Sequence, residues 1–291
     1  MKKFAFLLTV FAALFLMSCD SETPITPSDV SNIRSEARPG AIFLQWDRPA
    51  DLNFDNLWIR WFDPLTQTER FHVASIYGDT LLIPNTLQRL GEYRFSFQTE
   101  SSTRTKGTMQ HFTAVSGRHP YTLIFNDPVR VPLTAEQLYS PHTHIGDGAL
   151  EHLLTDPVNE HFHTNWGGAF PAPHWFQIDL GADGIIEDGW FRFWWRNRAT
   201  GAGHPTDIDL MGSMDGNEWF LLRNITQDTD NINVANAGEW TSNNTIVREP
   251  FRHLRFSVNA TNTANPAPWF VSSGFRLYTG TITIIDPENP N

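Results

Sequence analysis

Trp194, Trp195, Arg196 and Arg198 fall within five residues, and a loop of glycines with His204 and Pro205 follows at once. Eleven tryptophans and an aromatic content of 13% exceed what a core of this size needs. Some of the rings are therefore expected at a surface that meets something flat and partly polar. Histidines are unevenly spread as well: seven of the eleven lie between 142 and 204, including His142-Thr-His144 and His161-Phe-His163. Two His-x-His pairs raise zinc, because i and i+2 on an extended strand point the same way. The alternative use of His144 or His163 is a hydrogen bond to a ligand or to a neighbouring loop. Paired carboxylates occur at Asp207 and Asp209 and at Asp183 and Asp188, yet no nucleophile elbow, HExxH or other catalytic motif accompanies them. Asp207 and Asp209 flank Ile208 and read more simply as one face of an exposed edge strand. A non-catalytic role follows.

The elements that must carry these residues are strands. From Val30 to about Gly117 short alternating segments (GAIFLQW, NLWIRWF, ERFHVAS, EYRFSFQTE) are separated by Gly, Pro, Asp and Asn turn signals, with no helical period among them. This is the pattern of a small antiparallel sandwich. Prolines between Arg118 and Val131 break the alternation and mark a linker. From 132 to 280 the strand pattern returns (HWFQIDLG, GWFRFWWR, TDIDLMGS, EWFLLRN, FRHLRFSVNA, SGFRLYTG), with an Asp-Gly hairpin signal in SMDGNEW. Within FRFWWR, Phe191, Phe193 and Trp195 share one face and Arg192, Trp194 and Arg196 the other, so one of these faces is core. Residues 281–291 read as a C-terminal tail. The fold class is all-β, two sandwiches in series.

Lys2 and Lys3 precede the apolar run FAFLLTVFAALFLM, too short and too early for a membrane span. Leu16-Met17-Ser18-Cys19 resembles a bacterial lipoprotein signal, which implies cleavage after residue 18 and lipid on Cys19, the one cysteine in the chain. Residues 19–29 then serve as a polar, proline-containing tether. The resemblance places the protein on the outer membrane, lipid-anchored and facing the exterior. The chain carries 21 basic against 32 acidic residues, a net of −11, and loss of the leader's two lysines makes it more acidic still. Nucleic acid is a poor partner for such a chain.

Two further resemblances fill in the domains. Trp46 in LQWDRP and Tyr93 in LGEYRFSF resemble the early core tryptophan and the tyrosine corner of fibronectin type III modules, which implies an Ig/fibronectin-like spacer over 30–117. The ordered set WFQIDLG, FRFWWRNR, IDLMGSMDGNEWFLL, FRHLRFSV and FRLYTG resembles the discoidin, or coagulation factor 5/8 type C, family. That likeness implies a galactose-binding-like jelly roll over 132–280, and a module that binds a poly- or oligosaccharide.

It also implies site residues. An arginine just past the FRFWW strand bridges sugar hydroxyls through its forked donors; Arg196 fits best and Arg198 is the alternative. The competing use of Arg196 is a cation–π contact on Trp194. Trp269, in a proline-rich loop before the last strand, is the ring expected to stack on a pyranose, with Trp240 second; His144, His163 and His204 complete the set. Trp166, Trp175 and Trp219 read as framework core. The family often holds a structural calcium in the loop LLTDPVNEHFHTNW, where Asp156 would be the acidic ligand. Such a module would capture glycan for a neighbouring transporter or glycan-degrading enzyme. The alternative is adhesion to another protein through the same loops.

Overall fold

The computed structural model describes residues 25–167, 172–263 and 269–290. The leader, Cys19 and most of the tether lie outside these residues, as does 264–268 of the loop before Trp269. Among the described residues no helix is long and apolar enough to cross a membrane. Regular structure is almost entirely antiparallel strand, and the chain divides into two compact units. One runs to Thr122 and takes back the residues from Ile285 on; the other is Leu123–Ile284.

In the first unit Ser31–Arg38, Ala41–Asp47 and Thr80–Pro84 form a three-stranded sheet. Thr68–Ser75, Asn56–Asp63, Glu92–Glu100 and Gln110–Val115 form a four-stranded one. The period of two in EYRFSFQTE sends Tyr93, Phe95 and Phe97 inward, onto Trp46, Leu44 and Ile59. Trp46 is buried, with its indole N–H donating to the Gly78 carbonyl at 3.0 Å. The buried Tyr93 hydroxyl accepts from the Leu87 N–H at 2.9 Å and donates to the Leu87 carbonyl. Trp58 and Trp61 part as alternation requires: Trp61 packs with Phe95 on the core side, and Trp58 lies on the outer face with Phe71 and beneath Arg60.

Residues 282–290 carry a strand and a hydrogen-bonded segment. Ile282–Ile285 pairs with Thr122–Phe125, and the chain continues into the first unit, where the Glu288 carboxylate accepts the N–H groups of Gln88, Arg89 and His119, each at 2.8 Å.

The second unit is a sandwich of two five-stranded antiparallel sheets. One is ordered Leu138–Tyr139, His174–Asp179, His253–Thr261, Pro205–Ser213, Phe220–Thr226. The other has Trp190–Arg196 and Gly274–Gly280 at its centre, with Glu239–Thr241, Thr245–Ile246 and Val129–Arg130 beside them. FRFWWR obeys its alternation: Phe191, Phe193 and Trp195 are fully buried against Phe176, Phe256 and Phe275, while Arg192, Trp194 and Arg196 face outward. Each such buried ring contributes roughly 2–3 kcal/mol of transfer free energy. The SMDGNEW turn closes as its Asp-Gly pair requires, with Gly216 at φ +77. The Asp215 carboxylate accepts two backbone N–H groups there, which hold its pKa down at about 2. One expectation fails: Pro205–Ser213 is an interior strand, paired on both sides. Asp207 and Asp209 stand on its outer face, bridged by the side-chain amides of Asn224 and Asn259.

Candidate functional site

Four loops of the second unit are stitched into one cluster. Thr143 pairs with Thr164, the His144 N–H donates to the His163 carbonyl at 2.9 Å, Phe162–His163 pairs with Val271–Ser272, and the Val271 N–H donates to the Gly203 carbonyl at 3.0 Å. Trp269 is thereby laid on the His163 ring, centroids 5.1 Å apart and 28° from parallel. Trp166 lies on the His144 ring at 5.4 Å and 5°. The two histidine rings are 6.3 Å apart, so the two indole–imidazole stacks are neighbours. The Asp147 carboxylate accepts from His161 at 3.3 Å. Such stacks supply about 0.5–1.5 kcal/mol beyond burial.

Glycine is obligatory at 203. Its φ is +90, and a β-carbon there would stand 2.0 Å from Trp269 Cζ3, so the indole rests directly on the main chain. His163 is buried, and its Nδ1 lies 2.6 Å from the Thr164 carbonyl, so Nδ1 carries the proton and Nε2 is the acceptor. Burial pushes its pKa below the usual histidine range, despite the help of that carbonyl and of Asp147. The next influence is the positive charge of Arg198, which lies near enough to act on the same ring.

The structure reverses the expected order of the two arginines. Arg196 is spent on the protein: its Nη2 donates to the Asp156 carbonyl and, at 2.9 Å, to the Ser273 carbonyl, while the guanidinium sits 5.4 Å over Trp194. Its side chain is 11% exposed. Arg198 is half-buried, and its side chain makes no hydrogen bond or ion pair among the described residues. It is the arginine left available to a ligand.

Two further expectations are corrected. Trp240, 6% exposed, packs edge-on against Phe193 at 5.2 Å inside the core, because its strand pairs with Trp190–Arg196 and turns the ring inward. His204 is fully buried, with Nδ1 held 2.9 Å from the Val234 carbonyl, so it stiffens the glycine loop and does not reach solvent. Trp166 moves the other way: read as core, it is 57% exposed. Its signal was legible, since HTNWGG is a polar, glycine-rich setting without alternation. Trp175 and Trp219 are half-buried on the outer face of a sheet and do not belong to the core cluster. From the sequence His161 reads only as half of a possible zinc pair, and Asp147 is not singled out.

The loop expected to hold calcium is occupied by arginine. Arg276 pairs with the Asp156 carboxylate and holds its pKa below the usual range, and Arg196 takes the Asp156 carbonyl. One carboxylate oxygen and the carbonyl of Asp156 are thus engaged by guanidinium groups, which competes with their use as calcium ligands. Among the described residues no three His, Cys, Asp or Glu side chains converge as a metal site needs.

The fold and loops define an all-β chain whose second sandwich carries an aromatic and histidine cluster on its joined loops. No family model and no curated protein matches the chain. Among solved structures it is similar to CBM32-3 from a family 31 glycoside hydrolase of Clostridium perfringens, at 18% identity over 50% of this chain and 92% of that one, TM-score 0.39. It is likewise similar to the family 32 CBM of C. perfringens NanJ in complex with galactose, at 12% identity over 52% and 99%, TM-score 0.39. A SusE-like protein is similar over 86% of this chain and 96% of its own, at 13% identity and TM-score 0.36.

Proposed function

We propose that the second unit is a non-catalytic glycan-binding module whose site is formed by Trp269, Trp166, His163, His144 and Arg198. The observation that carries this reading is the pair of neighbouring indole–imidazole stacks beside an arginine with no partner among the described residues. The exposed face of Trp166 takes the C–H face of a pyranose, the edge of Trp269 flanks it, and Arg198 and the acceptor nitrogen of His163 take hydroxyls. Hydroxyl bonds alone gain little over water, so the rings supply the affinity and the polar groups the orientation. Asp207 and Asp209 are explained by their two asparagine bridges and call for no reaction.

The lipoprotein-like leader supports a setting for this binding: a chain anchored by lipid on Cys19 to the outer membrane, facing outward. The first unit acts as spacer, and the captured polysaccharide passes to a neighbouring transporter or glycan-degrading enzyme. Affinity electrophoresis of the protein against a panel of polysaccharides tests the reading. Retardation by one polymer class, lost in Trp269→Ala and in Arg198→Ala, is the expected result. Mobility unchanged on every polymer would move the loops to the protein-docking alternative.

A further inference from the structure

A second feature lies away from the loop cluster, on the outer face of the sheet that contains His253–Thr261. Arg255 projects from this central strand between two indoles, its guanidinium carbon 3.9 Å from the ring centroid of Trp175 and 3.8 Å from that of Trp219. Among the described residues one of its five N–H donors, on Nη2, is bonded, to Gln177 Oε1 at 3.0 Å. Nε is sealed from solvent and has no hydrogen-bond partner among the described residues. No carboxylate lies within ion-pair distance among the described residues, and burial disfavours the charge.

Other arginines of the same sheet are compensated. Arg252 grips Asp179 with two bonds of 2.7 Å, and Arg223 meets the buried Asp230 at 2.6 Å. Arg255 instead lines a pocket of about 470 Å³ with His142, Pro173, Trp175, Asp209 and Asn259. A partly desolvated cation without a counter-charge is costly, and a ligand anion would remove that cost.

We propose that this pocket is a second carbohydrate site, one that takes an acidic sugar by pairing its carboxylate with Arg255. A bare multivalent anion would also face Asp209, whose oxygens are already held by Asn224 and Asn259. A uronic acid avoids that conflict, because it sets its single carboxylate at Arg255 and turns neutral hydroxyls toward Asp209 and Asn259. Both faces reading the guanidinium are indoles, so the planar fork keeps its in-plane donors for an oxyanion. The site is separate from the loop cluster and stands whether or not that cluster binds sugar.

The test titrates the full chain with galacturonate and glucuronate trisaccharides and with their neutral galactose and glucose counterparts, following tryptophan fluorescence. The expected result is an acidic trisaccharide bound at least about tenfold more tightly than the neutral sugar of the same ring stereochemistry. Arg255→Met should erase that preference, with a thermal melt checking its fold. The comparison of acidic with neutral sugars on the unaltered protein needs no variant to fold. Equal affinities, no binding of either acid, or acid preference surviving in Arg255→Met would each overturn the proposal. Displacement by equimolar sodium sulfate would reduce the pocket to a simple anion site.

Discussion

Arg196 and Arg198 are two positions apart on one chain and have opposite fates. Arg196 ends a strand whose outer face looks onto the 156–158 loop, so two carbonyls capture it. Arg198 lies beyond the last strand pairing and keeps its donors. Arg198→Ala is therefore expected to weaken glycan retention about tenfold, the worth of a charge-assisted hydrogen bond, with an unchanged melting temperature. Arg196→Ala should do the reverse: it leaves two acceptors unmet and costs about 1–3 kcal/mol in a denaturant melt. The histidines make a second residue-scale prediction. Burial depresses the pKa of His163 and His204, so the folded protein keeps them neutral where the unfolded chain takes protons. Stability is thus complete above the ordinary histidine value of about 6.5 and falls as pH drops through it toward the depressed folded values. Melting temperatures between pH 7.5 and pH 5 should decline, and His204→Gln should flatten part of that decline. The carboxylate of Asp215, at about 2 in the fold, adds its own loss only below about pH 4.

Among the elements, the loops matter more than the strands they join. Trp269 is held by His163 on one side and by the bare main chain at Gly203 on the other. Gly203→Ala should displace the indole and abolish retardation as fully as Trp269→Ala, although residue 203 itself offers a ligand nothing. Retardation by Gly203→Ala equal to wild type would show that the ring is not the platform. The 156–158 loop makes a different prediction. Its stiffening comes from Arg276 on the Asp156 carboxylate and Arg196 on the Asp156 carbonyl. Incubation with EDTA should accordingly leave both the melting temperature and glycan retention unchanged, whereas Asp156→Ala, which strands Arg276, should lower the former.

For the whole molecule, the first unit is discontinuous in the chain. The chain leaves the first unit near Thr122, builds the second, and then returns residues from Ile285 on to the first. Glu288 closes that return by accepting three backbone N–H groups. The His119 donor is partly buried, and left without an acceptor it costs about 1–3 kcal/mol at most, while the exposed Gln88 and Arg89 donors can turn to water. Glu288→Ala, or a stop after Ile284, should therefore lower the unfolding temperature of the first unit while the second, with its own aromatic core, melts as before. A calorimetric trace with both transitions unmoved would contradict this.

The sequence by itself determined the periodic parts. Alternation placed Phe191, Phe193 and Trp195 inside, turn chemistry marked the Asp215-Gly216 hairpin, and Trp46 and Tyr93 stand buried and hydrogen-bonded. A period of two is a local property, and local properties survive in one dimension. The site did not obey such a rule. Which arginine is free among the described residues, whether Trp166 or Trp240 faces solvent, and that Asp207 and Asp209 sit on an interior strand depend on partners 22 to 77 residues away in the chain: Asp156, Ser273, His144 and Asn259. Only the tertiary structure decided these, because a side chain's availability is set by the donors, acceptors and rings that long-range packing brings to it, and spacing along the chain does not encode them.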